Sequence, residues 1–342
     1  MLGRSAAWLV LGLLIAAASA AWELIGTQVA DTQAARIPPG TPVVLVGAGD
    51  IASCESGGYD DDDEDDDGDA DRKKGEKGKN QKKKQKTRLS APAIGVSATG
   101  RLLDSLVEGS KPVVVFTAGD NAYGEGTRGQ FAGCYDQHWG RHRSITRPAP
   151  GNHDYKTKGA APYFDYFGER AGPAGRGYYS YDVGDWHLIS LNSEISTSTG
   201  SAQERWLRDD LKGTTKRCVL AYWHKPRFSS GKHGSLTALQ PLWEALYQHG
   251  AEVVLNGHDH DYERFAPQTP GGEPDEARGI RQFVVGTGGR SLRAFESPVA
   301  NSEVRHNRTH GLLKLTLGAD SYSWAFIPVS GTFRDSGSGT CH

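Results

Sequence analysis

Cysteine is scarce in this chain, net charge is almost absent, and only one apolar run is of any length. Each shortage removes a class of protein. The four cysteines among 342 residues, Cys54, Cys134, Cys218 and Cys341, contain no CxxC pair, which argues against a structural zinc and against a redox motif. With 39 basic against 41 acidic side chains the formal net charge is −2, so the chain is not built as a general nucleic-acid binder. The apolar run from Ala6 to Ala18 falls short of the ~20 residues a bilayer span needs, and no later segment qualifies. No stable membrane span is therefore expected. Preceded by Arg4 and followed by Ala18-Ser19-Ala20, the run reads as a secretory signal peptide over residues 1–20, with an uncleaved anchor as the alternative. A secreted or periplasmic protein follows from that reading.

What remains is long enough for one large α/β domain. Residues 21–40 read as an exposed segment, 41–330 as the domain and 331–342 as a tail. Short runs rich in Val, Leu and Phe, several bounded by Gly, predict strands at Val43–Val46, Val113–Thr117, Tyr178–Asp182, His187–Leu191, Val219–Trp223, Glu252–Leu255, Gln282–Val285, Leu312–Leu317 and Ser321–Ile327. Amphipathic patterns predict helices at Ser97–Glu108, Gly129–Trp139, Ser201–Leu211 and Ser235–Gln248, the third opened by a capping box from Ser201 to Glu204. Val183-Gly184-Asp185 and Gly318-Ala319-Asp320 read as hairpin turns.

One stretch breaks the pattern. Residues 59–88 run DDDDEDDDGDAD and then RKKGEKGKNQKKKQKTR after Tyr59, almost without apolar side chains, and read as a disordered insertion behind the first strand. Asp63, Asp65, Asp67 and Gly68 match the first half of an EF-hand loop, but Lys74 stands where a bidentate glutamate is required. A solvated loop is the better reading.

Chemistry gathers at the strand exits. Five motifs occupy them in order: GAGD ending at Asp50, AGDNAY over 118–123, GNHDY over 151–155, YWH ending at His224, and NGHDH over 256–260. A lone GD is usually a turn and a lone histidine usually a satisfied polar group. Five such motifs, each with oxygen or imidazole donors, compose a two-metal site, because open α/β sheets build their sites at the carboxyl ends of strands.

The order and content resemble the calcineurin-like metallophosphoesterases, and among them the purple acid phosphatase branch, whose pattern GDxG, GDxxY, GNH[DE], xxxH and GHxH is read here as GDIA, GDNAY, GNHD, AYWH and GHDH. That resemblance implies a four-layer α/β/β/α sandwich with mixed sheets. Other members of the superfamily place a histidine two residues after the first aspartate; this chain has Ala52 there. In the purple branch the tyrosine of GDxxY takes over, so the resemblance assigns that part to Tyr123. It implies one metal held by Asp50, Asp120, Tyr123 and His260, and a second by Asp120, Asn152, His224 and His258, with Asp120 bridging.

A 3+ and a 2+ ion ~3.5 Å apart repel by roughly 28 kcal/mol at an effective dielectric of about 20, so anionic ligands must lie between and around them. A phenolate favours Fe(III); the second ion is zinc, manganese or iron. In this reading Asp154 orients His153 toward the substrate phosphate, and His233, nine residues after His224, protonates the leaving group or else is a solvent-facing loop residue. The expected reaction is hydrolysis of a small-molecule phosphate monoester by a metal-activated hydroxide. Phosphodiester hydrolysis (nucleotide or glycerophosphodiester), a protein phosphatase, and a polyanion-binding or surface-binding protein of the same fold are the alternatives.

For the cysteines, Cys54 with Cys134 and Cys218 with Cys341 is the favoured pairing. The first two each follow a ligand-bearing strand end, and the second pair would fasten the tail.

Overall fold

The computed structural model describes residues 37–54 and 91–342, apart from Pro39 and Lys111. The signal peptide, its cleavage site and the charged insertion read from the sequence lie outside the described residues.

Two mixed sheets face each other. The first has the order β13-β12-β11-β1-β2-β3, built from β1 (Val43–Ala48), β2 (Val113–Ala118), β3 (Thr146–Ala149), β11 (Gly311–Leu317), β12 (Ser321–Pro328) and β13 (Asp335–Thr340). The second has the order β10-β8-β9-β7-β6-β5-β4, from β4 (Tyr179–Val183), β5 (Trp186–Ser190), β6 (Cys218–Tyr222), β7 (Val253–Asn256), β8 (Tyr262–Phe265), β9 (Arg281–Val285) and β10 (Ser302–His306). In the first sheet β1, β2 and β3 run parallel; in the second β5, β6, β7 and β9 do.

Side-chain alternation explains the layering. On the second sheet Leu188, Leu220, Val253, Leu255 and Phe283 join one core with Leu45, Leu313 and Leu315 of the first sheet. Their neighbours Ile189, Val219, Val254 and Val284 point the other way, onto Leu207 and Leu211 of the helix Ala202–Gly213 and Leu242, Trp243 and Leu246 of the helix Gln240–His249. The helix Ala91–Glu108 covers the first sheet, lying against β1 and β11. The four-layer α/β/β/α sandwich results.

Several elements depart from the sequence reading, each for a physical reason. The presumed tail contains β13, paired antiparallel to β12 from Ser321 opposite Thr340 to Phe326 opposite Asp335; its Asp-Ser-Gly-Ser-Gly-Thr sequence has no apolar alternation to betray it. Strand β3 is hidden by Pro148, which is tolerated because β3 is the edge of its sheet. The helix expected from Ser235 begins at Gln240, with Pro241 in its first turn and a 3-10 turn at Thr237–Leu239 before it. Ser201 caps its helix by accepting from the Glu204 N–H at 3.2 Å, whereas the Glu204 carboxylate reaches back to the N–H of Gly200 instead of Ser201.

Both expected disulfides are present, Cys54 to Cys134 and Cys218 to Cys341. The second locks the end of the chain beside β6, where Arg217 also donates to the carbonyls of Cys341 and His342. No described helix is long and apolar enough to cross a membrane.

Candidate metal centre

All five motifs sit just beyond the carboxyl ends of parallel strands: Asp50 after β1, Asp120 after β2, Asn152 after β3, His224 after β6, and His258 and His260 after β7. Backbone hydrogen bonds within the first sheet and across to the second hold these exits together. Gly49 N–H donates to Val285, Asp50 N–H to Gly119, and Ile51 N–H to Asp120. The backbones of Asp50, Asp120 and His258 have positive φ values of 60°, 51° and 72°, a costly conformation for non-glycine residues that turns each side chain abruptly off its strand. Glycines make room for the crowding. A Cβ on Gly151 would stand 2.3 Å from Asp120 Oδ1, and one on Gly257 2.6 Å from Asp50 Oδ2.

Two adjoining groups of donors result, buried except for half-buried Asn152. In the first, the Tyr123 hydroxyl is 2.6 Å from Asp50 Oδ1 and 3.3 Å from His260 Nε2, and Asp50 Oδ1 is 3.4 Å from that nitrogen. In the second, His224 Nε2 lies 2.9 Å from Asn152 Oδ1, 3.3 Å from Asp120 Oδ1 and 3.3 Å from His258 Nδ1. Ligand atoms of Asp50, Asp120 and His224 all fall within 4.8 Å of one another, joining the two groups.

Backbone carbonyls fix the imidazole orientations. His224 Nδ1 meets the Ala118 carbonyl at 2.8 Å, and His260 Nδ1 meets that of Ser291 at 2.9 Å. With those nitrogens donating, each Nε2 turns an unprotonated lone pair inward. The second group thus gathers the Asn152 amide oxygen, the Asp120 carboxylate and two imidazole nitrogens around one point. Oxygen and nitrogen donors so placed, one of them an anionic carboxylate, are what a cation's chemistry fits. The buried Nε2 of His258 also lacks a hydrogen-bond partner.

Electrostatics point the same way. Burial opposes charge on His224, yet the adjacent Asp120 carboxylate draws a proton to it and raises its pKa to about 10. Burial, together with the charges of His224 and His233, pushes His258 well down. Burial and the carboxylates of Asp120 and Asp50 hold the Tyr123 phenol well above its ordinary range. The centre demands positive charge.

Two expected roles are corrected. Asp154 does not orient the His153 ring: its Oδ2 accepts from the N–H of Gly151 at 2.9 Å and from Asn121, backbone and side chain, at 3.2 and 2.9 Å. It ties GNHD to GDN, and burial with the neighbouring Asp120 raises its pKa to about 7. The His153 ring is held by the Gly124 carbonyl, 2.5 Å from Nδ1. His233, half-buried, is not a free loop histidine. Its ring stacks on His258 at 4.1 Å between centroids, and its Nε2 is 2.6 Å from Arg293 Nη1.

Sequence reasoning missed Arg290 and Arg293. Arg290 lies over the Tyr123 ring at 5.0 Å, and its N–H donates to the Asp50 carbonyl. The run Gly286-Thr-Gly-Gly289 after β9 resembles the other strand exits and was the available signal.

Comparison with known proteins agrees with the geometry. The calcineurin-like phosphoesterase family pattern matches residues 94–262. Purple acid phosphatase 15 of Arabidopsis thaliana is 26% identical over 192 residues, 45% of this chain and 36% of that protein. Acid phosphatase type 7 of Homo sapiens is 28% identical over 147 residues, 34% of this chain and 32% of that protein. A probable inactive purple acid phosphatase 9, also from Arabidopsis thaliana, is 26% identical over 242 residues, covering 56% and 36%. The chain thus spans well under half the length of these relatives. Among solved structures, a purple acid phosphatase from yellow lupin (Lupinus luteus) seeds superposes with a TM-score of 0.69 at 18% identity, covering 88% of this chain and 55% of that one. GAP50, the anchor in the inner membrane complex of Plasmodium, superposes at 0.60 and 11% identity, covering 88% and 89%. The chain belongs to the calcineurin-like metallophosphoesterases, and its relatives by sequence are purple acid phosphatases.

Proposed function

We propose that the chain is an exported, two-metal phosphomonoesterase of the purple acid phosphatase type. The observation that carries the reading is the completeness of the donor set: Tyr123 stands against Asp50 and His260 in one group, while Asp120, Asn152 and His258 lie around His224 Nε2 in the other. A protein that had abandoned catalysis would have no reason to keep seven converging donors at the cost of three strained backbones. Asp50, Asp120, Tyr123 and His260 would hold Fe(III), the ion a phenolate favours, and Asp120, Asn152, His224 and His258 would hold zinc, manganese or iron. When bound, the pair supplies Lewis acidity toward a phosphoryl oxygen and a water made acidic near pH ~7.

The chain's own residues do the rest. Asp120 accepts the His153 N–H at 2.8 Å through Oδ1, which orients its carboxylate between the two groups. Donation from Nδ1 to backbone carbonyls aims the Nε2 atoms of His224 and His260 inward, where a metal would take the place of a proton. His153, with Nδ1 committed to Gly124, turns Nε2 toward the centre, 3.9 Å from Asp120 Oδ2, where a proton on it would meet developing phosphoryl charge. Two disulfides support an oxidising compartment.

Turnover of nitrophenyl phosphate against bis-nitrophenyl phosphate tests the substrate class. A monoester preference is expected, and a large excess of diester turnover would replace this reading with a phosphodiesterase.

A further inference from the structure

Beside the proposed centre lies a second constructed feature. Segment 257–263 carries three buried carboxylates, Asp259, Asp261 and Glu263, and two of them, Asp259 and Glu263, are hydrogen-bonded to a neighbouring loop. Neither faces the metal donors. Asp259 Oδ1 accepts the His233 N–H at 2.9 Å and its Oδ2 accepts the Ser229 hydroxyl. Glu263 accepts the Ser230 N–H at 2.8 Å and hydroxyl at 2.5 Å, and also the Ser302 hydroxyl. Gly231 allows the approach, since a Cβ there would stand 2.4 Å from the Asp259 carboxylate carbon. Buried carboxylates are costly unless fully bonded, and here the bonds are spent on clamping the loop 229–233 in one place.

That place puts His233 on His258 and against Arg293. Arg293 is fixed independently, its N–H donating to the His260 carbonyl at 3.0 Å and its carbonyl accepting from Asn307 at 2.8 Å. A guanidinium keeps its protons at any ordinary pH, so Arg293 is the donor and His233 Nε2 the acceptor. His233 therefore has no proton at Nε2 to give a leaving group. Its ring instead steers the arginine.

The geometry points to Arg293, steered by His233 and clamped through Asp259, as an anion-binding residue that selects phosphoryl substrates bearing a second anionic group next to the scissile phosphate, inorganic pyrophosphate being the simplest. A planar guanidinium is suited to a phosphate by paired N–H bonds, and its position beside the second donor group puts it in reach of a charge adjoining the one held at the centre. The inference rests on the phosphoesterase reading above and names the substrate feature that reading leaves open.

Calorimetric binding of inorganic pyrophosphate and of inorganic phosphate to the metal-loaded protein tests it, with Arg293→Met and Arg293→Lys alongside. The expected result is a roughly 10- to 100-fold loss of pyrophosphate affinity in Arg293→Met, a loss for phosphate about tenfold smaller, and partial recovery in Arg293→Lys, which keeps charge without the fork. Equal losses for the two anions, or none, would overturn the role of Arg293 and leave the phosphoesterase reading intact. A metal-loaded wild type that binds neither anion would overturn both.

Discussion

The carbonyl of Ala52 accepts a hydrogen bond from the N–H of Tyr123 at 2.8 Å, and a parallel bridge pairs Ala52 with Ala122. The position that lacks a histidine thus serves as the backbone support for the tyrosine proposed to take over its part. From that support the phenol reaches Asp50, 73 residues earlier in the chain. Ala52 is itself wholly buried, so a larger residue there would disturb the packing beneath the centre.

Asp120 joins the two donor groups, and its loss should separate them. Asp120→Asn is isosteric but removes the charge, so turnover of nitrophenyl phosphate should fall by at least ~100-fold while circular dichroism and thermal stability change little. Metal content per chain measures the cause. Retained turnover with full metal content would show that Asp120 does not bridge.

Gly119 has φ +82°, and a Cβ on it would stand 2.5 Å from the His224 ring. Gly119→Ala therefore meets both a backbone and a steric penalty, of order 1–3 kcal/mol, at a residue that is not itself a donor. Activity should drop by ~100-fold with weaker metal retention. An unchanged enzyme would mean that the His224 position is less constrained than this packing requires.

The Cys54–Cys134 bond closes a loop of 80 residues with its ends beside the Asp50 and Tyr123 segments. Closure of a loop that long is worth roughly 4 kcal/mol in chain entropy. Cys54→Ser with Cys134→Ser should lower the denaturation midpoint accordingly, measured by urea titration against wild type. A shift below about 1 kcal/mol would show that the bond constrains little in the unfolded chain.

His187 bridges Asp182 at 2.7 Å and Asp210 at 2.8 Å. Burial opposes its charge, but the hydrogen bonds and charges of both aspartates prevail and raise its pKa from 6.5 to about 9. A raised folded-state value means stabilisation that is fully present below the unfolded value and lost as pH climbs through about 9. Half-exposed Asp182 reduces the effect to about 2 kcal/mol. Wild type should lose more stability than His187→Gln between about pH 6 and about pH 10, and parallel curves would refute the assignment.

How much of this was legible in the sequence depends on what carried the signal. Core strands such as β1 and β6 announce themselves by unbroken apolar runs, and the seven donor residues by short motifs at their ends. Strand β13 and the Pro148 edge strand were opaque because edge strands need little hydrophobicity and bury only one side. Roles that depend on tertiary hydrogen bonds were harder still. Adjacency suggested that Asp154 serves His153, yet the five-residue helix Asn152–Lys156 directs the two side chains apart, toward Asn121 and Gly124 respectively. Nothing in the spacing of His233 and Arg293 reveals that two loops 60 residues apart meet on one imidazole.

The central claim is that Tyr123 binds the more highly charged ion of a two-metal centre. Its most direct test is the visible absorption spectrum of the purified protein beside that of Tyr123→Phe. The account predicts a tyrosinate-to-Fe(III) charge-transfer band in the wild type and none in the variant. An active, two-metal wild type without such a band would contradict it, leaving Tyr123 as a packed neighbour of Asp50 and the iron assignment wrong.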